Sequence, residues 1–465
     1  MTPFEDLLFF DSQRAASPAD ALTILHLSGH LDFSRLENAI RETAKIFCVA
    51  GRIAVLEKNG TLDWSKEEFP IQIHHFLGKP TSENLPDSFI SILEEPGIRF
   101  WIYEQPEEEK TQIWFQFHHL TTDALGSFLF LNRIFELYSE VGEKSLVCPQ
   151  ESEFRLECQP RMDAELKKNA FQQVFSYLVG QLNIFKKRSL EFCERPESTI
   201  GKKVIPSLIL PKEQEKKDVF SATMPVLFQT FSHEETRRFL DIAHREGVSL
   251  NDLLLAAAFL ACARVWKKSF GRLPQRPVLV AVPVSLRKGK FQKIPLRNLV
   301  SVVFLMEKLK KLPERRLFLQ RIHQGMRNNS MKRKAELLLL ELKWLCALRL
   351  RGDHRWGMKR FCRKEMLRTS FVFSNLGILF RSSELPRTSE GKLKIGSMIL
   401  ERVEQASPRT TNAALTIAAG TYAGRLHLGI NHDPGRISDD TVHLFLRLMI
   451  EELKSYQDSF SGERK

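Results

Sequence analysis

Apolar and polar residues alternate along Ile113-Trp114-Phe115-Gln116-Phe117-His118-His119, the two-residue period of a pleated strand. Ile113, Phe115, Phe117 and, if the strand persists that far, His119 share one face; Trp114, Gln116 and His118 share the other. From Asp123 the period lengthens, with Leu125, Phe128, Leu129, Ile134 and Phe135 at helical spacing and Thr121, Thr122 and Asp123 as suitable N-cap residues. A strand therefore runs into a helix at a pair of histidines.

The same reading predicts a strand at 21–28 and a helix at 33–47 begun near Asp32, its buried stripe being Leu36, Ala39, Ile40, Ala44 and Phe47. Short strands fill 50–105, and a long helix is expected at 164–192. Prolines and charges dominate 195–218, which reads as a linker between domains at 1–194 and 219–465. Beyond it a strand at 226–231 leads to a capping box, Ser232 with Glu235, and Ser249 to Asp252 cap a helix at 253–266 that is apolar nearly all round. Buried strands are expected at 278–287 and 369–377, two more around Ala423-Gly424 within 415–430, and a final amphipathic helix at 441–456 capped by Ser438. Strands and helices interleave throughout, so the class is α/β.

Composition narrows this little. The chain has 465 residues, 43% hydrophobic and 10% aromatic, which excludes a disordered protein and suits two domains. Its seven cysteines are scattered without a C-x-x-C pair, so neither a disulfide framework nor a zinc ribbon is indicated, and reduced thiols in a cytoplasm are expected. The first residues lack a basic, apolar leader pattern, and no apolar run is long enough to span a bilayer.

The histidine pair carries the candidate chemistry. Imidazole has a reference pKa near 6.5 and serves as a neutral base at physiological pH, provided its tautomer is fixed. The residues alone leave three roles open: base, satisfied core histidines, or a metal site using His119 and Asp123. A metal would need further ligands, and none stands at a convincing spacing. The second pair, His74-His75, has no Asp at matching spacing and reads as ordinary strand.

His118-His119-Leu120-Thr121-Thr122-Asp123-Ala124 resembles the His-His-x-x-x-Asp-Gly motif of the chloramphenicol acetyltransferase and condensation-domain superfamily. The segment 29–40, the run Leu250-Asn251-Asp252-Leu253 and the order of later motifs resemble it too, over nearly the whole chain. The resemblance implies two acetyltransferase-like subdomains in pseudo-dimeric arrangement with an active-site tunnel between them. It implies His119 as catalytic base, with His118 and Asp123 structural. It also implies that Arg287, closing Pro283-Val284-Ser285-Leu286-Arg287, salt-bridges Asp123; the residues alone also allow an exposed strand-end Arg. Asn298, in Arg297-Asn298-Leu299-Val300-Ser301, resembles a channel residue, and serves there as a hydrogen-bonding group or as a turn former. Ser374 and Asn375, in Ser374-Asn375-Leu376-Gly377, resemble a channel turn of alcohol acetyltransferases and wax-ester synthases; they bind an oxyanion or shape the turn. The motif's Gly is replaced by Ala124, and an Ala that distorted the loop would favour a catalytically silent binding protein.

The implied reaction is acyl transfer from a thioester to a hydroxyl or amine. The donor is acyl-CoA or the phosphopantetheine thioester of an acyl carrier protein, with no permanently bound cofactor, no metal and a monomeric chain. A freestanding condensation enzyme forming amides is the alternative. The net charge of +13 is uneven: residues 308–368 hold 19 Lys or Arg against 5 Asp or Glu. Within that region 335–350 is rich in Leu and carries Trp344, flanked by Lys332-Arg333-Lys334. Such a segment is an interfacial helix on an anionic membrane or a core helix with solvated basic ends. No nucleic-acid-binding motif accompanies the charge.

Overall fold

A computed structural model describes residues 3–12, 19–57, 62–86, 88–140, 226–287, 292–327, 338, 342, 369–410 and 413–461. The helix expected at 164–192, the linker at 195–218 and all of 335–350 but Leu338 and Leu342 lie outside the described residues.

The first half carries α1 (Pro3–Ser12), β1 (Asp20–Ser28), α2 (Phe33–Ile46), β2 (Ala54–Leu56), β3 (Leu62–Trp64), β4 (Gln72–Leu77), β5 (Ile98–Gln105), β6 (Lys110–His118) and α3 (Ala124–Tyr138). The second carries β7 (Val226–Thr230), α4 (His233–Arg245), α5 (Leu250–Phe270), β8 (Val278–Ser285), β9 (Val300–Glu307), α6 (Arg315–Arg327) and β10 (Phe371–Ile378). It ends with β11 (Lys394–Ile395), β12 (Met398–Ala406), β13 (Leu415–Tyr422), β14 (Arg425–His432) and α7 (Asp439–Ser461). The protein is thus mixed α/β with two subdomains, each built on a six-stranded sheet. One sheet has the order β11-β12-β1-β6-β5-β4, the other β7-β14-β13-β10-β8-β9.

Local rules place most boundaries. Asp32 caps α2 by accepting from the Arg35 N–H, and Leu36, Ala39, Ile40 and Thr43 form its buried face. Capping boxes at Ser232–Glu235 and Ser249–Asp252 open α4 and α5. Thirteen residues of α5 are buried, and all of them but the capping Asp252 pack in the core of the second subdomain, as an all-round apolar helix requires. No single helix among the described residues is long and apolar enough to cross a membrane.

Pattern reading passes over two connections. β12 pairs antiparallel with β1, Leu22 facing Ala406, so the second half supplies two strands to the first sheet. The core of that subdomain likewise includes Leu296, Leu376, Leu379, Phe380, Ala418 and Tyr422. The two halves are therefore interlocked by main-chain pairing and shared packing.

Candidate functional site

The strand feeding the site stops one residue earlier than the alternation suggested. β6 ends at His118, which faces Asp20 across the β1 ladder. Its N–H donates to the Gly97 carbonyl at 2.9 Å. His119 turns out of the strand, yet its N–H still donates to the Ala19 carbonyl at 2.7 Å. The apolar stripe on β6 is thus Ile113, Phe115 and Phe117, all buried in the first core.

The two histidines meet different surroundings. His118 is buried, and its Nδ1 accepts the Leu120 N–H at 3.1 Å. Burial and the adjacent His119 pull its pKa down to about 3, so it stays neutral. His119 is half-buried, and its Nδ1 lies 2.9 Å from Asn298 Oδ1. Burial lowers its pKa as well, partly offset by its own carbonyl, Asp123 and Asn298. A lowered pKa leaves this imidazole unprotonated at neutral pH.

Asp123 holds the loop together. Its side chain caps α3, Oδ1 accepting from the Gly126 N–H at 2.7 Å. The same oxygen accepts from Arg287 Nη2 at 2.8 Å, and Oδ2 accepts from the Leu299 N–H at 2.8 Å. Both ion-pair side chains are buried, Arg287 5% and Asp123 8% exposed. The guanidinium also donates to the carbonyls of Ile294 and Arg297, tying 294–299 to the same anchor. This arrangement suits neutralising a carboxylate at a helix start, and it directs Asp123 away from metal ligation. Among the described residues no trio of His, Cys, Asp or Glu groups as a metal site.

The structure therefore brings His118, His119, Asp123, Arg287 and Asn298 together, from both halves of the chain. Ser374 and Asn375 lie on β10, and no hydrogen bond among the described residues joins them to His119. Asn375 Oδ1 accepts from the Gly377 N–H at 2.9 Å, a turn-shaping contact.

Ala124 does not distort the loop. It is the first residue of α3, outside the left-handed region, and its side chain packs against the first core. The tight glycine stands two residues on: a Cβ on Gly126 would meet Arg287 Nη2 at 2.7 Å and also clash with Thr122 Oγ1. A Cβ on Gly97 would likewise clash with Thr121 Oγ1. The sequence signals for these two are faint, a Gly within a turn of the Asp and a Gly at a strand start. The Leu299 N–H and the Leu120 carbonyl leave no sequence signal, because any residue supplies them.

Comparison with family models gives no match, and comparison with curated sequences gives none. Solved structures do match over almost the full chain. The first condensation domain of the calcium-dependent antibiotic synthetase, with a substrate analogue, has a TM-score of 0.65 at 14% identity, covering 98% of this chain and 96% of that one. The epimerization domain of the third module of tyrocidine synthetase B reaches 0.64 at 14% identity, with the same coverage. A variant of the starter condensation domain of rhizomide synthetase, in complex with C8-CoA and Leu-SNAC, reaches 0.63 at 13% identity, covering 98% and 94%. At such identities the likeness shows a shared fold: this chain has the condensation-domain fold.

Proposed function

We propose that the protein is an acyltransferase that moves an acyl group from a thioester to an amine or hydroxyl, with His119 as general base. The observation that carries this is the division of labour between the histidines. His118 has its accepting nitrogen occupied by the Leu120 N–H and is buried, whereas His119 is partly accessible and kept neutral. His119 Nε2 takes the acceptor's proton as its nitrogen or oxygen attacks the thioester carbonyl; collapse of the tetrahedral adduct expels the thiolate, which recovers that proton. Asp123 and Arg287 keep the loop in place and take no proton. The donor is an acyl-CoA or the phosphopantetheine thioester of a carrier protein.

The rhizomide synthetase structure, holding C8-CoA and an N-acetylcysteamine thioester of leucine, supports thioesters as ligands of this fold. The epimerization domain is a reminder that the fold does not select the reaction, so the site has to. Peripheral association with an anionic membrane belongs to the same proposal. In the described part of the basic region, Leu312 and Leu317 are 44% and 68% exposed, and Met306 just before it is 45% exposed.

The test is incubation with an acyl-CoA panel and mixed amine and alcohol acceptors, with products read by mass spectrometry. His119→Ala should lose transfer while its thermal melt stays near the parent's. A variant as active as the parent removes His119 as the base.

A further inference from the structure

Asn298 stands just before β9, 4% exposed, and reaches across to the histidine loop. Its amide makes two hydrogen bonds that together decide how it is oriented. Asn298 Nδ2 donates to the Leu120 carbonyl at 2.9 Å, and Oδ1 faces His119 Nδ1 at 2.9 Å. A carbonyl oxygen only accepts, so the NH₂ end must face Leu120. Rotating the amide by half a turn would set two oxygens against each other at that carbonyl, leaving both without a donor.

With the NH₂ end committed, the oxygen end faces His119, and this oxygen also only accepts. The proton must therefore sit on Nδ1. In a neutral imidazole this leaves the lone pair on Nε2. The residue's own carbonyl also favours a proton on that side. Asn298 adds the side-chain hydrogen bond to Nδ1, at 2.9 Å. Leu120 ties the neighbouring ring in the opposite sense: its N–H donates to His118 Nδ1, which puts the His118 proton on Nε2. One residue thus joins two histidines held in opposite tautomers, with its carbonyl on Asn298 and its N–H on His118.

We propose that Asn298 is a positioning residue which sets the His119 tautomer from the other half of the chain, so that Nε2 is the base nitrogen. The proposal rests on His119 being the base. It gives Asn298 a place behind the imidazole, in contact with the ring and not with substrate. It also makes base competence depend on docking of the two halves, since 294–299 carries Asn298 and is held at the same anchor by Arg287 and Asp123.

Asn298→Ala should lower kcat/KM by about 10²-fold, within the range a well-oriented general base contributes, and leave KM nearly unchanged. Asn298→Asp presents a carboxylate to the same Nδ1–H, while its second oxygen meets the Leu120 carbonyl without a donor and lowers stability. It should keep the tautomer and recover much of the rate. It should also move the acidic limb of the pH profile upward, because a nearby negative charge favours imidazolium. The deciding measurement is tautomer state, read independently of activity from long-range ¹H–¹⁵N correlations of histidine-labelled full-length protein, with His119 assigned through His119→Ala. We expect Nδ1–H in the parent, mixed tautomers in Asn298→Ala and Nδ1–H again in Asn298→Asp. A parent with the proton on Nε2, or an Asn298→Ala protein with an unchanged tautomer, overturns the proposal even if His119 proves to be the base. If the tautomers behave as expected but His119→Ala stays active, it is the general-base reading that fails.

Discussion

Replacing Arg287 by Ala tests whether the ion pair at the site is a structural anchor. Both partners are buried, at 5% and 8% exposure, and they lie 2.8 Å apart. Removing one partner of a buried pair strands the other charge and typically costs about 3–5 kcal/mol. Here Asp123 would still accept from the Gly126 and Leu299 N–H groups, which pulls the cost toward the lower end. Two main-chain carbonyls, of Ile294 and Arg297, would lose their donor, which pulls it back up. The expected loss is therefore about 3–5 kcal/mol, against about 0–1 kcal/mol for an exposed pair. Denaturant unfolding followed by tryptophan fluorescence would measure it, with Asp123→Asn and the double variant completing a cycle. Arg287→Lys should fall between, since one ammonium cannot bridge a carboxylate and two carbonyls as a guanidinium fork does. A loss below about 1 kcal/mol for Arg287→Ala, or additive single effects in the cycle, would refute the anchor.

Gly126→Ala should cost about 1–3 kcal/mol and most of the activity, because the new Cβ must displace both Arg287 and Thr122. Ala124→Gly should cost no more than about 1 kcal/mol and leave activity intact; a large gain in rate would mean that Ala124 does impair the site. Asp20, 1% exposed, has its pKa pushed from 3.8 up to about 7 by burial. Its contribution is present in full below its unfolded pKa and is lost as pH rises through about 7, so Asp20→Asn should be more stable than the parent at pH 8 by on the order of 2–4 kcal/mol. That gap should close near pH 4 in paired thermal melts; a gap independent of pH would contradict the buried-carboxyl argument. Sedimentation with anionic vesicles should be strong at low salt and weak at high salt, at about 1 kcal/mol per basic residue near the surface, and Leu317→Glu should weaken it; indifference to anionic vesicles at low salt ends the membrane proposal.

The chain's local chemistry was readable without coordinates wherever a rule acts over a few residues. Asp123, Asp32, Ser232 and Ser249 announce their helices because an orphan N–H two or three positions on needs an oxygen, and each caps as the pattern implies. Alternation on β6 marks its strand through the two-residue side-chain period, and the unbroken, Val-rich apolar run on β8 marks a strand buried on both faces. The meeting of Arg287 with Asp123 was also within reach, since a charge ending an apolar strand needs a partner.

Folding decided what depends on contacts between distant segments. The strand ends at His118, so His119 is aimed by a turn and the Ala19 carbonyl, which no period reveals. Asn298 was equally legible as a turn former; only its two hydrogen bonds, 178 and 179 residues away in sequence, distinguish a ring-positioning amide. Ala124, in place of the motif's glycine, fits the first turn of α3 without a left-handed backbone, whereas Gly126 is constrained by an Arg side chain from the other half. β12 joins the first sheet because β1 offers an unpaired edge, and main-chain N–H and C=O groups carry no record of sequence. Side-chain chemistry is written in the sequence, but the backbone groups that aim it are the same at every position, and only the fold selects among them.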